Sequence, residues 1–422
     1  GGAGDVEGAA QIARDLERLA RQATAGRTFE SIAAAVWPEH HVPEEARLKG
    51  LAESALEAHA GAVVVPLHLG KRLDGMMALS IAQRRAAPEG SHWVDEAPLD
   101  ALLLTWMQRE ANRALPWQSG EDGNVGVVIA AHGSDWHWNE TMRQAVAPLA
   151  ARYRLAFAYS MADPIIVERA VRRLEAQGAQ AIVVVRVFGL EDSFRSAFRR
   201  MAGLDVEDAL AVDGSASHEH GQGHVPTMAA PDGHGHHGHG AAAGSGRIRS
   251  PAVLLTAGGL DDDPLFARAL LARADALSRD PARETLILTA HGTFSDERNA
   301  RWLEVLARIA DRMRAEGADR FRDIRVATWR EDWPDKREAW VPRVRAWVEA
   351  ASEDGTAIVI PARTNGTGPE ARLLEGLDFR LGSGFAPHPL FAEWVESQVR
   401  SALEQARRPP VPAMARIDRI TP

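Results

Sequence analysis

The chain has 422 residues, 45% apolar and 25% charged, a formal net charge of −9 and no cysteine. That length allows two or three domains with a large core, and the acidic balance argues against general nucleic-acid binding while leaving room for a local basic pocket. Disulfides, thiolate metal sites and cysteine nucleophiles are excluded, and no apolar run reaches the ~18–20 residues that span a bilayer. The chain begins Gly1-Gly2-Ala3-Gly4 without methionine, which fits a tag scar or an end left by signal-peptide removal. With the absence of cysteine this leans toward an exported protein, the cytoplasm being the alternative.

Residues 1–120 read as a mostly helical region of unassigned role. Ile12, Leu16, Leu19 and Ala20 recur near helical spacing within Ala9–Ala25, Ala46–Ala60 has the same character, and a further helix is expected over Leu99–Ala114. Gly61–Leu69 reads as a strand. His68 at its end is more simply a packing residue than a ligand, and His40-His41, between prolines, a solvated loop. Trp117–Gly123 is a linker.

From Val125 the pattern alternates regularly. Val125–Ala131 is a buried strand followed by His132-Gly133-Ser134, and a helix is expected over Glu140–Arg152. Strand Leu155–Tyr159 and helix Pro164–Gln177 follow; Asp163 should cap that helix and Pro164 suits its first turn. Ala181–Phe188 is almost wholly apolar and β-branched, as a central parallel strand should be. Ser193–Met201 is helical and arginine-rich. Composition then breaks: His218–Gly240 holds seven of the sixteen histidines among glycines, cannot bury a core, and is expected to be a disordered insertion within 214–246. Order resumes with strand Ala252–Thr256.

The same grammar then repeats. Strand Leu286–Ala290 leads to His291-Gly292-Thr293, followed by helix Glu297–Glu316, strand Ile324–Thr328, helix Asp335–Ala350 and strand Ala357–Ile360. Pro264-Leu265-Phe266-Ala267 and Pro389-Leu390-Phe391-Ala392 are one word. It lies 132 positions after His132 and 98 after His291, a difference close to the length of the histidine-rich stretch with its flanks. The chain is therefore expected to hold one duplicated four-strand βα unit: lobe 1 over 125–280, lobe 2 over 281–405, then a tail over 406–422. Ligands of open parallel sheets bind at the carboxyl ends of strands, where both His132 and His291 fall.

The word Ala131-His132-Gly133-Ser134, Ala162-Asp163-Pro164 with its helix, the 178–185 stretch G-A-Q-A-I-V-V-V, the two P-L-F-A words and the histidine-rich stretch together resemble the class II, ATP-independent chelatases, specifically the two-lobed sirohydrochlorin cobalt/iron chelatases. The resemblance covers about 125–405. It implies an α/β fold of two flavodoxin-like lobes with parallel sheets facing a cleft, and insertion of a divalent metal (cobalt first, then nickel, iron or zinc) into a sirohydrochlorin-type tetrapyrrole without an organic cofactor. Relatives carry a second histidine after the third strand; here the loops read 188–195 F-G-L-E-D-S-F-R and 361–370 P-A-R-T-N-G-T-G-P-E, with Glu191, Asp192 and Glu370 as carboxylate substitutes.

Such chemistry needs a ligand for the metal, a base for two pyrrole N–H protons and a cleft for the ring. Imidazole serves both of the first two. The expectation is His132 with Glu191 or Asp192 as the principal catalytic pair, Glu191 first, and His291 as its counterpart in lobe 2. Ser134, Arg186, Arg195, Arg330 and Arg363 are expected to meet an anionic macrocycle, with Arg199 a further candidate. Trp136, Trp138, Trp329 and Trp333, in strand-end loops, are candidates to stack on it. His218, His220, His224, His234, His236, His237 and His239 would gather metal ions. The partners implied are a tetrapyrrole and a divalent ion, with neither nucleic acid nor membrane. Two alternatives stand beside this: a non-catalytic metal or tetrapyrrole carrier, and, more weakly, a flavodoxin-like nucleotide binder, disfavoured because the A-H-G-S turn lacks a G-x-G-x-x-G fingerprint.

Overall fold

The computed structural model describes residues 4–23, 30–38, 42–59, 61–65, 85, 88–93, 100–114, 116–118, 120, 123–204 and 246–406. His40, His41, His68 and the seven histidines of the glycine-rich stretch lie outside them, as does the tail beyond 406. The described residues form two compact units, one built on 4–114 with 246–251, the other on 116–204 with 252–406.

The first unit contains α1 (Val6–Ala23), α2 (Glu45–Glu57), β1 (Val63–Val64), β2 (His92–Trp93) and α3 (Asp100–Ala114). Ala9 and Leu48 pack with Val6, Ile12, Val36 and Val42, and the Val6 amide at the start of α1 donates to the Glu44 carboxylate. β1 and β2 pair in parallel. β2 is two residues long, too short for any periodicity to announce it.

In the second unit β3 (Val125–Ala131) leads into α4 (Trp136–Val146), β4 (Arg154–Tyr159), α5 (Pro164–Ala176), β5 (Ala181–Val187), α6 (Arg195–Ala202), β6 (Val253–Gly258) and α7 (Pro264–Leu277). There follow β7 (Glu284–Ala290), α8 (Asp296–Ala315), β8 (Asp323–Thr328), α9 (Pro334–Arg337), α10 (Val341–Ser352), β9 (Thr356–Pro361), α11 (Glu370–Leu373), β10 (Phe379–Leu381) and α12 (Pro389–Ala406). The strands form two all-parallel sheets ordered β4-β3-β5-β6 and β8-β7-β9-β10. Both orders are 2-1-3-4, so the duplicated sequence gives duplicated topology, of the flavodoxin-like kind. Every residue of β3, β5 and β7 is buried, as strands covered on both faces require.

Two helices begin or break where local chemistry overrides the apolar pattern. α4 starts four residues before the expected Glu140 because Asp135 caps it, its carboxylate accepting from the Trp138 amide at 2.9 Å. The expected helix Asp335–Ala350 is split into α9 and α10, since Pro342 would clash with the carbonyl of Glu338 in a continuous helix but is harmless in a first turn.

The last helix of each half crosses over. α7, which follows the sheet of the first half, packs on α8 and β9; α12, which follows the second sheet, packs on β5, β6, α4 and α7. One hydrophobic core accordingly runs through both sheets, from Val127, Ile129 and Val185 through Phe266 and Leu270 to Leu286, Phe391 and Trp394. The outer face of the second sheet has its own cluster under α10, with Ile287, Trp329, Val344, Val348 and Val359. Among the described residues no helix is long and apolar enough to cross a membrane.

At the entry to β7, Glu284 is 2% exposed and its carboxylate accepts from Ser278, from the amides of Arg279 and Asp280 and from Arg380 of β10. Burial pushes its pKa up, but these donors outweigh it and hold the group below its ordinary value. A depressed folded-state pKa contributes stability above the unfolded value, lost as pH falls through the folded one. Glu284→Gln is therefore expected to cost about 1–3 kcal/mol at neutral pH. The gap to the parent should shrink in urea melts taken at progressively lower pH below about 4.5.

Candidate functional site

The two histidines sit at equivalent strand ends in nearly the same local frame. His132 follows β3 and His291 follows β7, the central strand of each sheet. Each is succeeded by a left-handed glycine, Gly133 at φ 78° and Gly292 at φ 79°. A side chain is excluded at both: a Cβ on Gly133 would come 2.6 Å from Tyr159 Cβ, and one on Gly292 within 3.0 Å of Arg330 N. That turn brings the glycine carbonyl back onto the imidazole, 2.6 Å from His132 Nδ1 and 2.8 Å from His291 Nδ1. A carbonyl only accepts, so Nδ1 carries the proton and in the neutral ring Nε2 holds the lone pair, as a metal ligand or base needs.

An asparagine braces each turn. Asn139 accepts from the Ser134 amide at 3.2 Å and donates back to the Ser134 carbonyl, which leaves the Ser134 side chain exposed. Asn299 accepts from the Thr293 amide at 3.3 Å and from the Thr328 hydroxyl at 3.0 Å. The sequence reading missed these residues, although an asparagine five or six positions after the glycine-flanked turn recurs in both halves.

Beyond that shared frame the histidines differ. His291 Nε2 lies 3.1 Å from Asp332 Oδ2 and 4.0 Å from Glu331 Oε2, both just past β8. Trp302 stacks on its ring at 6.4 Å and Trp333 meets it edge-on at 5.9 Å. His132 is exposed, and no carboxylate among the described residues lies within ion-pair distance of it. The signal for Asp332 was present as the acidic pair Glu331-Asp332 at a strand end, but the matching stretch of the first half holds Ala162 and Asp163, and Asp163 is spent capping α5.

The loop after β5 is locked rather than open. Arg186, expected to meet a ligand carboxylate, is 3% exposed and donates to the carbonyls of Glu191 at 2.6 Å, Ser193 at 3.0 Å and Gly258 at 2.6 Å. It is a structural tie, its pKa pulled down by that burial. One Arg195 nitrogen donates to both Glu191 carboxylate oxygens, at 2.6 and 2.8 Å, so these two expected site residues engage each other. Arg330, 4% exposed, holds the Phe294 carbonyl and Asp296. Arg363 is ion-paired with Glu331, and its burial lowers its pKa. Glu370 is fully buried, accepting from Thr289, Gly368 N and Trp329 Nε1, which removes it as a ligand and places Trp329 in the core. Trp136 is exposed in the first turn of α4, and Trp138 packs edge-on against Tyr159.

Loops from both sheets converge here. Asp192, after β5, is 3.3 Å from Arg298 of α8. A Cβ on Gly189 would strike Trp302 at 2.8 Å, and Asn365, after β9, donates to the Trp138 carbonyl at 2.9 Å. With Glu331 turned to Arg363, His291 and Asp332 stand as a pair; among the described residues no three histidine or carboxylate groups are clustered so as to hold a metal.

Neither a protein-family profile nor a curated protein matches this chain. Among solved structures the chain is similar to the sirohydrochlorin chelatase SirB from Bacillus subtilis subspecies spizizenii, solved in complex with cobalt. That match has 14% identity and a TM-score of 0.43, over 67% of this chain and 96% of that one. SirB from Bacillus subtilis with Fe3+ gives 14% identity and a TM-score of 0.44, over 67% and 97%. DR2241 from Deinococcus radiodurans, described as a multi-domain protein with structural similarity to chelatases and two additional novel domains, gives 20% identity and a TM-score of 0.38 over 65% of this chain. The match spans about half of that protein, 54% of its length. The likeness to the class II chelatases is one of fold, at low identity.

Proposed function

We propose that this protein inserts a divalent metal ion, cobalt in the first instance, into a sirohydrochlorin-type tetrapyrrole without ATP. The observation that carries the reading is the pair formed by His291 and Asp332 at the end of a central parallel strand, on a duplicated frame that repeats the same histidine turn. An imidazole lone pair and a carboxylate oxygen repel at 3.1 Å unless a positive particle sits between them. Two ligands at right angles, each ~2.1 Å from a metal, lie about 3 Å apart. The pair is thus a seat for one proton or one metal ion.

In this reading His291 Nε2 and Asp332 present the metal ion, which is substrate rather than a resident group. The ion replaces two pyrrole N–H protons, so two protons must leave as it enters. His291, once relieved of the ion, accepts one, and His132, whose Nε2 no carboxylate engages among the described residues, accepts the other. The histidine-rich stretch, His218, His220, His224, His234, His236, His237 and His239, gathers metal when it is scarce.

The test incubates the purified chain with sirohydrochlorin and cobalt, nickel, iron(II) or zinc, following the absorbance of the metallated product. A rate well above the spontaneous one is expected for at least one ion. Tight binding of the tetrapyrrole with no acceleration would mean a carrier, and neither binding nor acceleration would reject the reading.

A further inference from the structure

With Arg186 buried on carbonyls, Arg330 on the Phe294 carbonyl and Asp296, Arg363 on Glu331 and Arg195 on Glu191, the basic side chain that receives an anionic ligand has to be found elsewhere. On α8, Arg298 and Trp302 are four residues apart and so share a face, about 6 Å along the axis. Trp302 is the residue stacked on His291 and set against Gly189. Arg298 therefore stands beside the same strand-end cluster, one turn nearer the start of the helix. Its partner there is Asp192, reached across from the other sheet by a single 3.3 Å contact.

Of the pairs that the α8 arginines make with loops of the first half, this one has the most exposed carboxylate. Both groups are open to solvent, Arg298 at 38% and Asp192 at 52%, and an exposed ion pair contributes little net free energy. The next arginine, Arg301, is tied to Asp261, which also anchors the loop by accepting from the Glu191 amide at 2.7 Å; freeing it would release that loop. Arg308 and Arg312 farther along hold Asp262, kept below its ordinary pKa because these hydrogen bonds and charges outweigh the opposing effect of burial. Of these four α8 arginines, Arg298 is the one that can change partner without releasing Asp261 or Asp262. A guanidinium held by one exposed carboxylate is suited to take another in bidentate fashion.

We propose that Arg298 is the carboxylate-recognising residue of the tetrapyrrole site, and that Asp192 occupies it as an internal stand-in until a ligand carboxylate replaces it. The inference rests on the tetrapyrrole reading above, and its test separates the two. The full chain is titrated with uroporphyrin, a metal-free octacarboxylate, by tryptophan quenching. Arg298→Ala is expected to weaken binding about tenfold and Arg298→Lys to restore part of it. Asp192→Asn, which removes the competitor, is expected to tighten binding about two- to fivefold and to have no effect in the Arg298→Ala background. A pair acting only as a strut between the sheets would make Asp192→Asn weaken binding as Arg298→Ala does, and that result overturns the assignment. So does unchanged affinity in Arg298→Ala, and in both cases the tetrapyrrole reading survives. A parent chain that neither binds uroporphyrin nor metallates sirohydrochlorin removes the reading and this inference with it.

Discussion

Replacing His291 by alanine is expected to lower metal insertion by about 10²–10⁴-fold, the range for loss of a general base, with tetrapyrrole affinity little changed. His291 has the lone pair at Nε2, the carboxylate partner at 3.1 Å and an indole on each of two sides. Asp332→Asn keeps the shape but removes the charge that holds a cation beside the ring, so it should raise the metal concentration needed for half-maximal rate more than it lowers the limiting rate. His132→Ala should cost less than His291→Ala, the reverse of the order the sequence suggests. Initial rates at varied metal and fixed tetrapyrrole give all three comparisons. A larger loss in His132→Ala would return the principal role to the first sheet.

The inversion shows what the sequence carries and what it does not. Strand order follows from the repeat: two apolar runs, each ending in a histidine and glycine, point to parallel central strands, and recurrence of the later words in the same order, their spacing differing by about the length of the histidine-rich stretch, points to the same strand order in both halves. Asp163 and Pro164 announce a helix start because capping is local chemistry, and the structure shows that cap. Side-chain commitments are another matter. Arg186 sits within a run of valines on a strand buried along its whole length, so burial is expected, yet only the fold shows three carbonyls waiting for its guanidinium. Glu370 follows a glycine-rich loop as a ligand would, but Thr289 and Trp329, 81 and 41 positions away, take its carboxylate. The partner of His291 lies 41 positions downstream. Asp332 and Asp163 each lie four positions past their strand, so that placement alone does not say which one reaches a histidine and which one turns to its own helix.

Ending the chain at His388 is expected to abolish cooperative folding of β3–β6, although it deletes none of their residues. The removed helix, α12, belongs by sequence to the second half but covers β5 and β6 of the first. Its Phe391, Trp394, Val395 and Val399 are each no more than 1% exposed, and burying four such side chains contributes roughly 6–12 kcal/mol. That is comparable to the whole stability of a domain, about 5–15 kcal/mol. Without α12 the β5–β6 face and the flank of α7 would meet water. The outer face of the second sheet, covered by α10 and its own cluster around Trp329, would be untouched. Hydrogen exchange separates the outcomes: amides of β5 and β6 should lose protection first and most, and those of β7 and β8 should keep more of theirs. Trp394→Ala, a milder form of the same change, should cost about 3–5 kcal/mol with the loss again concentrated in β5 and β6. Uniform loss over both sheets would mean that the shared core makes them one folding unit. Retained protection in β5 and β6 would mean that the crossed helix is not what holds the first sheet together.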